Sequence, residues 1–295
     1  MKRLLSLIFT LLLCMSFLGC ESDWQDAQIA ATTLPVYEFT ARLCEGTGIT
    51  VTRLITESVS CLHDYTLQVS QMRSIEAAEL IVISGAGLED FLEDTLHSTQ
   101  KVIDSSANIA LLCSNESEEH THEETHGHSH EHDPHIWLSP ANAKAMSRNI
   151  YQGLMSAYPE YAEIFTENLA ALEAKFDALA DYAETELRTL SCRELITFHD
   201  GFAYMAEAFE LNIVHAIEEE SGSEASAAEL IELTQIVTDH QLGAVFVEYN
   251  SSSAAASVIS AETGISVHQL DMAMASGSYF DAMYHNIDTL KEALG

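Results

Sequence analysis

The sequence predicts an α/β protein of two parallel-sheet lobes joined by a long rigid helix. Three observations predict it. From Asp26 onward, short apolar runs alternate with helix-length periodic segments. A helical stretch of about 30 residues then occupies the middle of the chain, and the alternation resumes after it. A length of 295 residues suits two cores. A hydrophobic fraction of 47% with only 13 Gly and 4 Pro excludes a largely disordered or fibrous chain.

The first residues read as an export signal rather than as part of the fold. Lys2 and Arg3 precede an apolar run from Leu4 to Leu13, too short for the roughly 20 apolar residues of a spanning helix. Phe17-Leu18-Gly19-Cys20 resembles a bacterial lipobox, which makes 1–19 a lipoprotein signal peptide and Cys20 the lipidated residue. Ordinary secretion is the alternative. An acidic tether, 20–26, leads into the fold. Four cysteines then remain, Cys44, Cys61, Cys113 and Cys192, and their three possible pairings stay open, with Cys61–Cys113 weakly favoured.

The N-terminal lobe, 27–140, has strand signals at Gln28–Thr32, Thr50–Ile55, Leu80–Ser84 and Lys101–Asp104. Helices are expected at Pro35–Leu43, Gln71–Ala78 and Leu88–Leu96, with Pro35 suited to a first turn. Composition breaks at 115–133, where six His and seven acids stand without a large apolar residue, a low-complexity loop. A helical linker, 141–190, follows: Asn142–Ala157, then a backbone helix from Glu160 to Leu190 that would reach about 45 Å. Its apolar spacing (Phe165, Leu169, Leu172, Phe176, Leu179, Tyr182) fits one packed face, with a coiled-coil dimer as the alternative. The C-terminal lobe, 191–295, has strands at Glu194–Phe198, Asn212–Ala216, Ala244–Glu248 and Ser266–Leu270. Its helices lie near Ala203–Phe209, Ala225–His240, Ser252–Thr263 and Tyr279–Leu294. Ser226 with Glu229 three residues on forms a capping-box pattern.

Charge narrows the partners. With 12 Lys+Arg against 46 Asp+Glu, the formal charge is −34. That excludes nucleic acid, whose phosphates need basic residues to displace counterions, and a polybasic membrane surface. Cations suit such a surface.

Four potential metal ligands fall just after strands or on the loops that cover them: His63 in SVSCLHDY, His135 in DPHIWLSP, His199 in LITFHDG and Asp271 in VHQLDM. In open parallel sheets, ligands bind beyond the carboxyl ends of strands. Each residue alone reads more simply as a hydrogen-bonded histidine or a turn aspartate. His97, His215, His240, His268 and His285 keep that plain reading.

The words around the four carry more. TTLPVYEFT (32–40), HDYTLQVSQMRSIEAAEL (63–80), DPHIWLSPANAKAMSRNI (133–150), TFHDGFAY (197–204), VFVEYN (245–250) and QLDMAMASGSYF (269–280) stand in one order. They resemble the zinc- or manganese-specific solute-binding lipoproteins of ABC importers, in their zinc-type, adhesin-like cluster. The resemblance covers essentially all the mature chain. It implies a C-clamp of two α/β lobes on a backbone helix, with the metal in the interlobe cleft. It matches His63, His135 and His199 to the family's histidine ligands and Asp271 to its acidic ligand. Two departures stand out. Cys61-Leu62 replaces a usual Pro or Ser-Pro before the first His, and Met272 replaces a usual Pro after the aspartate.

Three imidazoles and one carboxylate suit tetrahedral Zn2+, whereas Mn2+ prefers oxygen-rich, higher-coordinate sites. Binding requires neutral imidazoles, so affinity is expected to fall as pH drops through about 6.5. Asp64, Asp200 and Glu248 are placed to orient the ligand rings. The loop histidines His120, His122, His126, His128, His130 and His132 are expected to bind further Zn2+ weakly.

The function expected is an extracytoplasmic receptor, not an enzyme. It would bind Zn2+ as cargo, work as a monomer held to the membrane by a lipid anchor only, and feed an ABC permease with its cytoplasmic ATPase. The alternatives are the same role for Mn2+, or a surface adhesion lipoprotein. A zinc hydrolase would need an open water position and a general base, and the one H-E-x-x-H match, HEETH at 122–126, falls in the low-complexity loop rather than on an expected helix.

Overall fold

The computed structural model describes residues 27–57, 62, 65–92, 101–113, 132–217, 226–249, 251–274 and 277–295. Two four-stranded, all-parallel sheets form. The first contains β1 (Ile29–Ala31), β2 (Val51–Arg53), β3 (Leu80–Ile83) and β4 (Lys101–Asp104), in the order β2-β1-β3-β4. The second contains β5 (Glu194–Thr197), β6 (Asn212–Ala216), β7 (Ala244–Glu248) and β8 (Ser266–Leu270), in the order β6-β5-β7-β8. The two lobes therefore repeat one topology. In each, the chain leaves the first strand toward one edge and returns on its other side, opening a crevice beyond the carboxyl ends of the two central strands.

The helices follow the apolar periodicity. α1 (Leu34–Leu43) and α2 (Val69–Ala77) belong to the first lobe; Pro35 occupies the first turn of α1, where its missing N–H costs nothing. α3 (Pro140–Ala157) and α4 (Ala162–Leu187) form the connection. α5 (Ala203–Ala208), α6 (Ala227–Asp239), α7 (Ala254–Thr263) and α8 (Tyr279–Leu294) belong to the second lobe. The capping box at the start of α6 is made, with Ser226 and Glu229 exchanging bonds to each other's backbone.

α4, 26 residues and about 39 Å long, is the strut. It buries Phe165, Leu172, Phe176, Leu179, Ala183 and Leu187 against α3, α1 and α8. Its apolar face is thus satisfied within the chain, which removes the reason for a coiled-coil dimer. One continuous core runs from the first sheet through these helices into α8; a smaller one lies under the second sheet against α6 and α7.

Two contacts tie the halves together. Phe39 of α1 packs edge-on against Phe176 (5.2 Å between ring centroids) and Tyr279 (5.0 Å). Glu38 accepts from Tyr279 N–H (2.6 Å) and the Ser278 hydroxyl (3.1 Å), so a carboxylate of the first lobe caps α8 of the second.

The helix expected over Leu88–Leu96 does not form where it is described. Asp90–Leu92 is a single 3-10 turn, and 93–100 lie outside the described residues. The chain enters through Gly85, Ala86 and Gly87, all at positive φ. Glu89 then folds back to accept from Ser84 N–H (2.7 Å), Gly85 N–H (2.9 Å) and the Thr32 hydroxyl (2.6 Å). The first lobe's own crevice is therefore filled by Glu89, whose carboxyl burial pushes up to about 7. The disulfide favoured above is not seen either: Cys113 is an exposed free thiol, and Cys61 lies outside the described residues.

Candidate metal centre

DPHIWLSP, 133–140, folds as a compact shelf. The Asp133 carboxylate accepts the His135 backbone N–H (2.8 Å) and sits 2.7 Å from its ring Nδ1. A side chain two residues before the histidine thus fixes both its backbone and its ring. Ile136, Trp137 and Leu138 form a buried 3-10 turn, and Pro140 with the Ser139 cap starts α3. Trp137 reaches across to the second lobe, donating from Nε1 to the Met272 carbonyl (2.8 Å), while the Tyr279 hydroxyl donates to the Trp137 carbonyl (2.8 Å).

These bonds present one atom. With Nδ1–H donated to Asp133, His135 is held in the tautomer whose Nε2 carries the lone pair. His135 is only 7% exposed, and Asp133 has its second oxygen, Oδ2, buried as well. Replacing Asp133 by asparagine keeps the size and removes the charge that faces the ring Nδ1. Asp133→Asn is expected to weaken metal binding about ten- to a hundredfold with little change in the melting temperature, measured by chelator competition and circular dichroism.

His199 follows β5, at the crevice of the second sheet. Its ring lies 5.3 Å from that of His135, centroid to centroid and nearly perpendicular. Glu248, at the end of the neighbouring β7, places Oε2 3.9 Å from His199 Nδ1, close enough for attraction but longer than a hydrogen bond. Gly201 lets the ring sit where it does: a Cβ there would lie 2.7 Å from His199 Cδ2 and 2.7 Å from Met272 Cε.

Asp271 follows β8. Its Oδ1 accepts from Ala273 N–H (2.7 Å), and its peptide is held by Asn286 of α8. One oxygen is engaged internally, so the carboxylate is set to offer the other to a cation. Offering one oxygen rather than two favours the low coordination number of zinc.

Acidity builds up around the two histidines. Burial pushes the Glu248 carboxyl up to about 7, helped by the charge of Asp271. Burial also raises Asp271, against the Ala273 N–H and His285, which lower it. Asp200 is raised by burial and then by Asp133, while His135 lowers it. Carboxylates whose charged form is disfavoured by burial and by a neighbouring acid are relieved by an arriving divalent cation.

Of the expected residues, the structure therefore brings His135 and His199 side by side, sets Glu248 against His199, and couples Asp271 to Glu248 and Asp200 to His135. His63, Asp64, Cys20, His120, His122, His126, His128 and His130 lie outside the described residues. Among the described residues, no three His, Cys, Asp or Glu side chains gather closely enough to hold a metal by themselves. Sequence reasoning missed Asp133, Gly201 and Asn286. An Asp two positions before a buried His was the signal for the first. The other two act through contacts between distant segments and left none.

The low-complexity stretch needs one correction. His132 already pairs with Cys113 in an antiparallel bridge, and Asp133 N–H donates to the Leu112 carbonyl (3.0 Å). Tyr204 of α5 accepts from Leu112 N–H (2.9 Å) and donates to the Asp133 carbonyl (3.0 Å). Residues 132 and 133 are thus part of the stem beside the site, not of a dispensable loop.

Comparison with known proteins fits this geometry. The family profile of ZnuA, the periplasmic zinc-uptake complex component A, matches residues 29–293. The zinc-binding lipoprotein AdcA of Streptococcus pneumoniae is 30% identical over 308 residues, covering 99% of this chain and 61% of its own length. The chain thus spans about three fifths of that relative. The crystal structure of ZnuA superposes with a TM-score of 0.77 at 27% identity, over 91% of this chain and all of its own. The Zn(II)-bound ZnuA-like domain of S. pneumoniae AdcA gives 0.75 at 28% identity, over 90% and 98%.

Proposed function

The chain belongs to the ZnuA family of zinc-uptake components, and on that premise we propose that it captures Zn2+ outside the cytoplasm and passes it to an ABC permease. The observation that carries the reading is the pair of imidazoles. His135 from the first half and His199 from the second face each other at 5.3 Å, one with its tautomer set by Asp133. Two adjacent nitrogen donors in an acidic cleft select a borderline cation such as Zn2+ over oxygen-seeking Mn2+ or Mg2+.

The donor set we assign is His63, His135, His199 and Asp271. Glu248 orients His199, and Asp200 and Asp64 complete the acidic surround. The Zn2+ is cargo: two lobes that each supply donors can bind it by approaching and free it by separating. The histidines His120, His122, His126, His128 and His130, with His132 of the stem, add weak sites. Lipidation at Cys20 would keep the receptor at the outer face of the membrane, beside the permease and its ATPase. No helix among the described residues is long and apolar enough to cross a membrane.

Growth tests the delivery step. A strain lacking this gene is expected to stop growing under zinc chelation. The wild-type chain restores it, and a chain with both His135→Ala and His199→Ala does not. Rescue by manganese instead of zinc would overturn the metal, and normal growth of the deletion strain in zinc-poor medium would contradict the receptor role.

A further inference from the structure

The peptide that presents Asp271 is gripped from outside its own segment. Asn286, fully buried on α8, uses both ends of its amide on one residue. Its Oδ1 accepts from the Asp271 N–H (2.7 Å), and its Nδ2 donates to the Asp271 carbonyl (2.7 Å). One residue further on, the Met272 carbonyl is held by Trp137 Nε1 (2.8 Å), from the shelf that carries His135. Ala273 then turns the chain at φ 55°, which directs its N–H onto Asp271 Oδ1. The backbone of Asp271 is therefore fixed at both its N–H and its C=O, and its carboxylate at one oxygen.

Such a two-point grip is more than a helix needs. A buried amide could satisfy itself on any neighbouring backbone, yet this one takes both partners from one residue, Asp271. Met272 does not restrict its own backbone as a proline would, and the bonds to Asn286 and Trp137 supply the restraint instead.

The geometry points to Asn286 as a positioning residue for zinc, acting through Asp271 by clamping both polar groups of its peptide. This rests on the reading of Asp271 as a ligand. Asn286 itself does not touch the metal. Its effect is to hold the carboxylate in place before the ion arrives, so that binding does not bear the cost of ordering it.

A double-mutant cycle on the full chain tests it, with Zn2+ affinity of the tightest site read by chelator competition. Asn286→Ala is expected to weaken that site about ten- to a hundredfold, the range for partners that orient a metal ligand. In the Asp271→Ala background, the same change is expected to have almost no further effect. Should Asn286→Ala fail to fold by circular dichroism, Asn286→Ser takes its place in the cycle. Equal losses in both backgrounds, or no loss in either, would overturn the clamp and leave Asn286 as a packing residue. Wild-type affinity in Asp271→Ala alone would instead remove the ligand assignment, and the clamp with it.

Discussion

Replacing His135 by alanine is expected to weaken Zn2+ binding by about two orders of magnitude. Structural zinc sites of four ligands contribute on the order of 10–16 kcal/mol, so one ligand carries about 3 kcal/mol, or roughly a hundredfold. His135 should lose at least that share. Its Nε2 is preset by the bond from Nδ1 to Asp133, and its ring is packed 5.4 Å from that of Trp137, so little freedom remains to be lost on binding. The fold should survive the change. The shelf stays anchored through Trp137, Tyr204 and Tyr279, none of which bonds to the histidine ring. Isothermal competition with a chelator, alongside a melting curve of the metal-free protein, separates the two effects. A hundredfold loss with a melting point within a few degrees is the expected pair.

The second large effect is expected at a residue with no side chain. Gly201→Ala places a methyl 2.7 Å from His199 Cδ2 and 2.8 Å from Nε2, and 2.7 Å from Met272 Cε. Met272 can swing its flexible end away. The imidazole cannot yield as cheaply, because the rings of His135 (5.3 Å between centroids) and Phe202 (6.5 Å) stand beside it. The ring must rotate or shift, and its Nε2 leaves the line to the cleft. Zinc affinity is expected to fall ten- to a hundredfold, as for loss of an orienting partner. The nitrogen of His199 also reports the change directly: its imidazole resonances should move in the metal-free state. Unchanged affinity in Gly201→Ala would show that the ring has room the structure does not give it.

How much of this was legible in the sequence depends on what wrote it there. The strand Ala244–Glu248 falls where its apolar run places it, because a central parallel strand covered on both faces must be apolar throughout; the edge strands Asn212–Ala216 and Ser266–Leu270 are partly exposed, carry polar residues and still keep the expected bounds. α8 begins at Tyr279 as expected, since its amphipathic pattern is long and uninterrupted. The stretch Leu88–Leu96 shows the opposite. Leu88, Phe91 and Leu92 have helical spacing, but the glycines before them and the inward turn of Glu89 decide the backbone, and neither shows in a hydrophobic period. At the site, strand-end placement pointed to His199, Glu248 and Asp271, while the family resemblance of the surrounding words marked His135, His199 and Asp271 as ligands. Asp133 sits two residues from the ring it holds and was readable locally, whereas the approach of Gly201 to Met272 and the bonds of Asn286 to Asp271 join positions 71 and 15 residues apart and are fixed by the tertiary fold. For that reason the His-rich loop also looked longer in sequence than it is. Its last two residues are held by Cys113, Leu112 and Tyr204.

That correction shapes the decisive measurement. The chain lacking 115–131, which spares His132 and the Asp133 that orients His135, should be titrated with Zn2+ in competition with Mn2+, and its bound metal counted by elemental analysis. One tightly held Zn2+ per chain that excess Mn2+ does not displace is the predicted result. Preferential retention of Mn2+, or no tight site once the loop histidines are gone, would contradict a zinc centre built on His135 and His199.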